Sequence, residues 1–175
     1  VQTQGFNTTQ MNALSATVFA KLAAGAIQGL STDALSLLAA DKLVALGSAQ
    51  VGALTTVQVQ ALTSDQAKLL TGAQVSGWNS AQLGALSSGD ISSLNSATVQ
   101  GLGSGALAGL TSSQVGQLQT GQVSALTTQQ ATGLTSVQTL KLSTEQTAVM
   151  SSGVLAKLSS DALAALSTLA VKGLS

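Results

Sequence analysis

The 175-residue chain contains no cysteine, histidine, proline, tyrosine or arginine. Without cysteine or histidine it has neither a disulfide framework nor the usual ligands of zinc, and no imidazole or thiolate for nucleophilic catalysis. Charge is scarce as well: charged residues make up 7%, and six lysines balance six acidic residues. An ordinary domain carries about 25% charged residues, and a nucleic-acid interface needs a basic excess that this chain does not have. A membrane span needs about 20 consecutive apolar residues, and Ser, Thr or Gln interrupts every stretch long before that. There is no signal-peptide pattern, and with Val1 in place of an initiator methionine the start reads as processed or excised. Ser, Gln and Gly are abundant, as in disordered segments, but disordered chains lack large apolar residues, and here 45% of residues are hydrophobic.

Those apolar residues recur with a strict period. From Asn7 to Leu174 the chain divides into 21 blocks of eight with no insertion or deletion; the last position is Leu in 19 blocks, Trp78 in one and Met150 in one. Numbering positions 1 to 8, as in Thr55-Thr-Val-Gln-Val-Gln-Ala-Leu62, position 1 is Ser, Thr or Asn in 16 blocks and position 2 is Ser or Thr in 17. Position 4 is Gln in 11 blocks, position 5 is mostly a large apolar residue, and position 7 is usually Ala or Gly. Self-similarity at a fixed period marks a repeat array, so residues 1–175 read as one octapeptide-repeat solenoid with 21 full repeats at 7–174.

A continuous helix is excluded. Eight residues advance an α-helix by about 800°, so the leucines would drift by about 80° per block and no partner could bury them. Two folds remain: an all-α solenoid with one very short capped helix per block, and a β-solenoid with two octads per coil. The pattern favours the helices. Ser, Thr or Asn at position 1 with Gln at position 4 is a capping box. Positions 5 and 8 share a helix face but fall on opposite faces of a strand. Five of the six acids, Asp33, Asp41, Asp65, Glu145 and Asp161, sit at position 3, and five of the six lysines, Lys21, Lys68, Lys141, Lys157 and Lys172, sit at position 6 or 7. That segregation complements a helix dipole restarted in each block. Helices of five to seven residues are expected, with a Leu/Val spine inside and a Ser/Thr/Gln surface. In favour of the β-solenoid, Ser, Thr and Val suit strands.

One block cannot fold alone, because so short a helix does not persist and two buried side chains do not offset the ordering of eight residues. Stacked blocks sharing a leucine core can. Neither end carries a polar cap: Phe6 fills a position 8, and Ser175 opens a new block after Leu174. The array therefore reads either as a window cut from a longer one or as a rod whose ends meet other rods. A longer period is superimposed, because blocks without Gln at position 4 cluster at Ala23–Leu46, Ser87–Leu110 and Ser151–Leu174, with starts 64 residues apart. Duplication of an eight-block unit or a periodic lateral contact accounts for it.

No residue is assigned a catalytic, cofactor-binding or metal-binding role, and no cofactor is expected. The carboxylates are dispersed at helix-start positions; the nearest in sequence, Asp33 and Asp41, are one block apart and would stack as a ladder. Asp90 replaces the capping Gln. Gly101-Leu-Gly-Ser-Gly-Ala106 has the look of a dinucleotide loop but follows no strand and keeps its leucine in phase, so it reads as two degenerate blocks. Asn7-Thr-Thr9 fits a glycosylation sequon, and Trp78 fills a leucine slot.

The phrase at Ala53–Leu62 and Ala125–Leu134 resembles octapeptide-repeat regions in large secreted or surface proteins of proteobacteria. The resemblance covers nearly the whole chain and implies a stalk, adhesin shaft or matrix component at the cell surface or outside the cell. The expected function is non-enzymatic: an extracellular filament subunit or adhesin shaft whose partner is another copy of itself. The alternative is a binding module, a surface adhesin or ice-binding solenoid acting through its Ser/Thr/Gln face. No nucleic-acid partner and no membrane span are expected.

Overall fold

The computed structural model describes residues 8–166. Phe6, Asn7, Lys172 and Leu174 lie outside the described residues. Those described form 20 helices of four to six residues, such as Thr32–Ser36 and Ser80–Ala85. Among the described residues helices account for 63%, and there is no strand. The octad is thus a helical unit and the β-solenoid is set aside, although the helices are slightly shorter than the expected five to seven residues.

Every described helix begins at position 2. Position 1 is extended, as in Thr55 (φ −70°, ψ 161°), and its hydroxyl accepts from the backbone N–H of position 4. The helix ends at the leucine of position 8 or shortly before; Leu86, for example, has φ −63° and ψ 145°. A leucine and an N-cap residue, both near the extended region, are enough to redirect the chain. No described residue, glycine included, has a positive φ, so the usual left-handed glycine stop is not used. This explains how the array turns a corner every eight residues without proline.

Helices in successive turns stack with a fixed offset. Each helix packs against the one three octads on, as Ser64–Leu69 does against Ser88–Ser93 and Gly72–Val75 against Ser96–Gly101. Gly72 faces both Ala97 and Gly101, 25 and 29 residues ahead, and helices pair three octads apart, so one turn of this solenoid takes about three octads. Consecutive octads lie around the same turn rather than above one another. The expected ladder of Asp33 over Asp41 is therefore not formed.

The core is built from positions 4, 5 and 8. In one octad Gln58, Val59 and Leu62 are 3%, 0% and 4% exposed. Most residues of positions 5 and 8, with Ala34, Ala106, Val154 and Ala162 at position 4, form one apolar cluster from Met11 to Leu166, with Trp78 and Met150 in leucine slots. The burial of position 4 corrects the expected Ser/Thr/Gln surface: the glutamines at position 4 from Gln50 to Gln146 are interior, and Ser and Thr make the outside.

Where position 7 is Gly101, Gly109 or Gly133 it lies against the backbone of a neighbouring turn, which leaves no room for a side chain. A Cβ on Gly109 would lie 1.9 Å from the Ser80 carbonyl oxygen, and one on Gly133 would lie 2.2 Å from that of Ser104. Gly52, inside its helix, has nothing within 4 Å. Gly109→Ala should therefore destabilise the fold in urea unfolding, whereas Gly52→Ala should stabilise it by about 0.5–1 kcal/mol through helix propensity. Leu102→Ala, at a buried position 8, should cost about 2–5 kcal/mol, while Gly121→Ala at exposed position 3 should cost little. Equal effects at Leu102 and Gly121 would mean that the octad phase does not define the core.

Candidate interaction surface

The most elaborate polar arrangement is interior. Each glutamine at position 4 from Gln50 to Gln146 serves two helices at once. Its Oε1 accepts from the N-cap backbone N–H three residues earlier, at 2.7–3.0 Å in all ten octads. Its Nε2 donates to the carbonyl of position 8 in the previous turn, 28 residues back, at 2.6–3.3 Å. Many add a bond to position 5 or 6 of that octad, as Gln130 does to Val99 and Gln100. Helix ends leave unsatisfied N–H groups at one terminus and C=O groups at the other; one amide closes the start of its own helix and the end of another. No buried side-chain N or O among the described residues lacks a partner.

Two residues that replace glutamine, Asp90 and Thr98, keep part of its role. Asp90 keeps the capping half, accepting from the Ser87 N–H and hydroxyl at 3.3 and 2.6 Å. It has no hydrogen to give, and the previous turn supplies one instead, through the Ser64 hydroxyl at 2.7 Å. Thr98 donates its hydroxyl to the Leu70 carbonyl. Trp78 donates its indole N–H to the Val51 carbonyl at 3.1 Å, while Gln82 takes the neighbouring carbonyls of Gly52 and Leu54.

On the outside, position 1 hydroxyls are occupied as caps. Those of position 2 from Thr32 to Ser160, apart from Ser64, have no partner among the described residues. Unlike positions meet across a turn: position 7 rests on position 2 where Gly109 lies on Ser80 and Gly133 on Ser104. One open cleft of about 430 Å³ crosses three turns beside Ser76, Gln100–Ser104 and Thr127–Gln130. Its lining carries no charge. Gly101–Ala106, the loop-like glycine stretch, contains a buried Leu102 and the start of helix Ser104–Leu107, and so is two octads in phase.

Charges are arranged for helix ends rather than for chemistry. All six acids fall in the first turn of a helix. Lys68 lies in the last turn of its helix, whereas Lys21, Lys141 and Lys157 follow just after theirs. Glu145 is held below the usual carboxylate range by its own backbone amide and then by the Ser143 hydroxyl; full exposure leaves that little weight in stability. The pairs Lys42–Asp41 and Lys68–Asp65 span 3.4 and 3.2 Å. No group of three potential metal ligands occurs among the described residues, and no described helix is long and apolar enough to cross a membrane.

The family model described as the ALTTAQ repeat matches residues 41–72, so the chain contains a repeat region of this kind. Its six letters run along Ala53-Leu-Thr-Thr-Val-Gln58, with exposed Val57 as the one departure. The letters thus cover the small contact residue, the core leucine, the cap, the helix start and the bridging glutamine. A search of curated proteins finds no match.

The double role of glutamine generates a sharp test. In Gln122→Glu the cap acceptor is kept, but a carboxylate faces the Ile91 and Leu94 carbonyls, each 2.7 Å from the present donor. The charged form is disfavoured in the fold, so the folded pKa rises above the ordinary value of about 4.3. Protonation supplies a donor. The variant should lose about 3 kcal/mol at neutral pH, and the loss should shrink as pH falls through the raised value. Urea titrations at several pH values check this; a loss that does not depend on pH would contradict it.

Proposed function

We propose that this chain is a non-enzymatic structural element, the shaft of an extracellular filament or surface adhesin, extended by stacking one octad turn on another. The observation that supports this reading is the inter-turn interface itself. The same leucine, valine and glutamine contacts recur from turn to turn, and the polar atoms inside them bond to the neighbouring turn. A turn without a neighbour leaves leucine sides and position 8 carbonyls that an identical turn is shaped to cover. The surface has few charges and the net charge is zero, so little opposes association. The natural partner is another copy of the chain.

A second reading, a binding module, has one observation in its favour: the uncharged cleft between Gln100–Ser104 and Thr127–Gln130 suits a neutral, hydrogen-bonding ligand at a surface. Ice binding fits less well, because it needs rows of free like groups, and here the position 1 hydroxyls are occupied as helix caps.

Electron microscopy and light scattering of the purified chain distinguish the readings. Assembly predicts filaments of uniform width that persist as salt is raised, since the interface is apolar and amide-bonded rather than held by exposed charges. The double variant Leu166→Lys, Leu174→Lys should leave soluble monomers. Discrete monomers at high concentration across salt and pH would overturn self-assembly and leave the shaft-segment and binding-module readings.

A further inference from the structure

Helices three octads apart pack in three rows. One row is Ala16–Phe19, Ala40–Ala45, Ser64–Leu69, Ser88–Ser93, Ser112–Gly116, Ser136–Thr139 and Ser160–Ala164, each packed on the next. Its octads hold six of the nine exposed charges among the described residues: Lys21, Asp41, Asp65, Lys68, Lys141 and Asp161. The other two rows share Asp33, Glu145 and Lys157. The charged row also exposes Val44, Leu69, Val137 and Leu140. Helix dipoles account for the sign of a charge at its own helix, but not for its choice of row.

The order of signs along this row is antisymmetric about octad 87–94. Lys21 lies nine octads before it and Asp161 nine after; Asp41 lies six before and Lys141 six after. Asp65 and Lys68 satisfy each other at 3.2 Å, octad 111–118 carries no charge, and Asp90 is buried. A second copy turned end for end about octad 87–94 therefore sets Lys21 on Asp161 and Asp41 on Lys141, each twice. Asp41 gives one oxygen to buried Lys42 at 3.4 Å, and its other oxygen has no partner among the described residues. At the axis stand Ser88, Gly89, Ser92 and Ser93, whose small side chains allow close approach. Two copies side by side in the same direction would set each charge on its own kind. Slid by one turn, they would regain only Lys21 on Asp41 and Lys141 on Asp161, half as many contacts.

We propose that this row is a lateral docking face for a second copy of the chain, paired antiparallel about a two-fold axis at octad 87–94. A closed two-fold contact uses one surface twice, and complementary charges fix direction and register more than they add affinity. Exposed ion pairs are individually weak, so free chains pair only transiently. Chains already joined in a filament repeat the contact, and the repeats hold together. The face is separate from the ends of the array, so this pairing does not depend on end-to-end stacking.

Carbodiimide coupling, which joins a lysine amine to a carboxylate in contact with it, tests this on the whole chain. Unlabelled and isotopically labelled copies are mixed, so that mass spectrometry separates links between chains from links within one. The expected product is a mixed-label dimer joined from Asp41 to Lys141, residues that end-to-end stacking holds several turns apart. Its yield should fall several-fold in high salt, which leaves end-to-end contacts intact. It should fall likewise in Lys21→Glu and return when Asp161→Lys is added, with circular dichroism confirming that each variant is folded. Absence of the Asp41–Lys141 link would overturn the proposal. So would mixed-label dimers joined from Lys21 to Asp41 instead, or a yield that Lys21→Glu leaves unchanged or Asp161→Lys fails to restore.

Discussion

The structure depends on one side-chain amide that bonds in two directions. An isolated helix of four to six residues has more unsatisfied backbone groups than satisfied ones, and it is too short to persist. Glutamine at position 4 removes the problem at both ends. Its carbonyl oxygen holds the start of its own helix, and its NH₂ group holds the end of a helix one turn away, as Gln138 joins Thr135 to Leu107 and Leu110. The bridging amide therefore makes local structure conditional on stacking. Apolar burial supplies the driving force, but burial is non-directional; the amide fixes which backbone group meets which.

What was legible in the sequence is what acts over three or four residues. The cap at position 1, the i, i+3 pair of positions 5 and 8, and the placement of acids at helix starts all follow from spacing, and the helices begin where that spacing puts them. The size of the turn was not legible. It depends on how closely helices 25 to 29 residues apart can approach, and the glycine contacts that set this at Gly72–Gly101 and Gly109–Ser80 are spread over distant octads. The burial of glutamine was missed for the same reason. A signal for it existed: a capping box accepts Glu as readily as Gln, yet position 4 is never Glu, and the one glutamate, Glu145, sits at position 3. A buried position whose side chain donates to the previous turn favours the amide over the carboxylate. Asp90, the single carboxylate at this position, is accommodated by a hydroxyl from Ser64.

With the amide and leucine positions committed to the interior, variation is left to the outside. Position 3 carries residues as different as Asp, Ala, Gly, Val, Gln and Glu without altering the helix beneath it. A chain organised this way extends readily by whole octads, and its outer face can drift in composition without loss of the stack. That arrangement suits a shaft, where length and continuity matter more than any one constellation of side chains.

The bridging amide is directly observable by NMR exchange of glutamine side-chain NH₂ groups in the intact chain. The ten interior glutamines at position 4 from Gln50 to Gln146 should exchange orders of magnitude more slowly than exposed Gln100 and Gln129, because their hydrogens are released only when turns separate. If all glutamine side chains exchange at the rate of the exposed pair while the backbone amides of the helices remain protected, the glutamines do not couple the turns and the account is wrong.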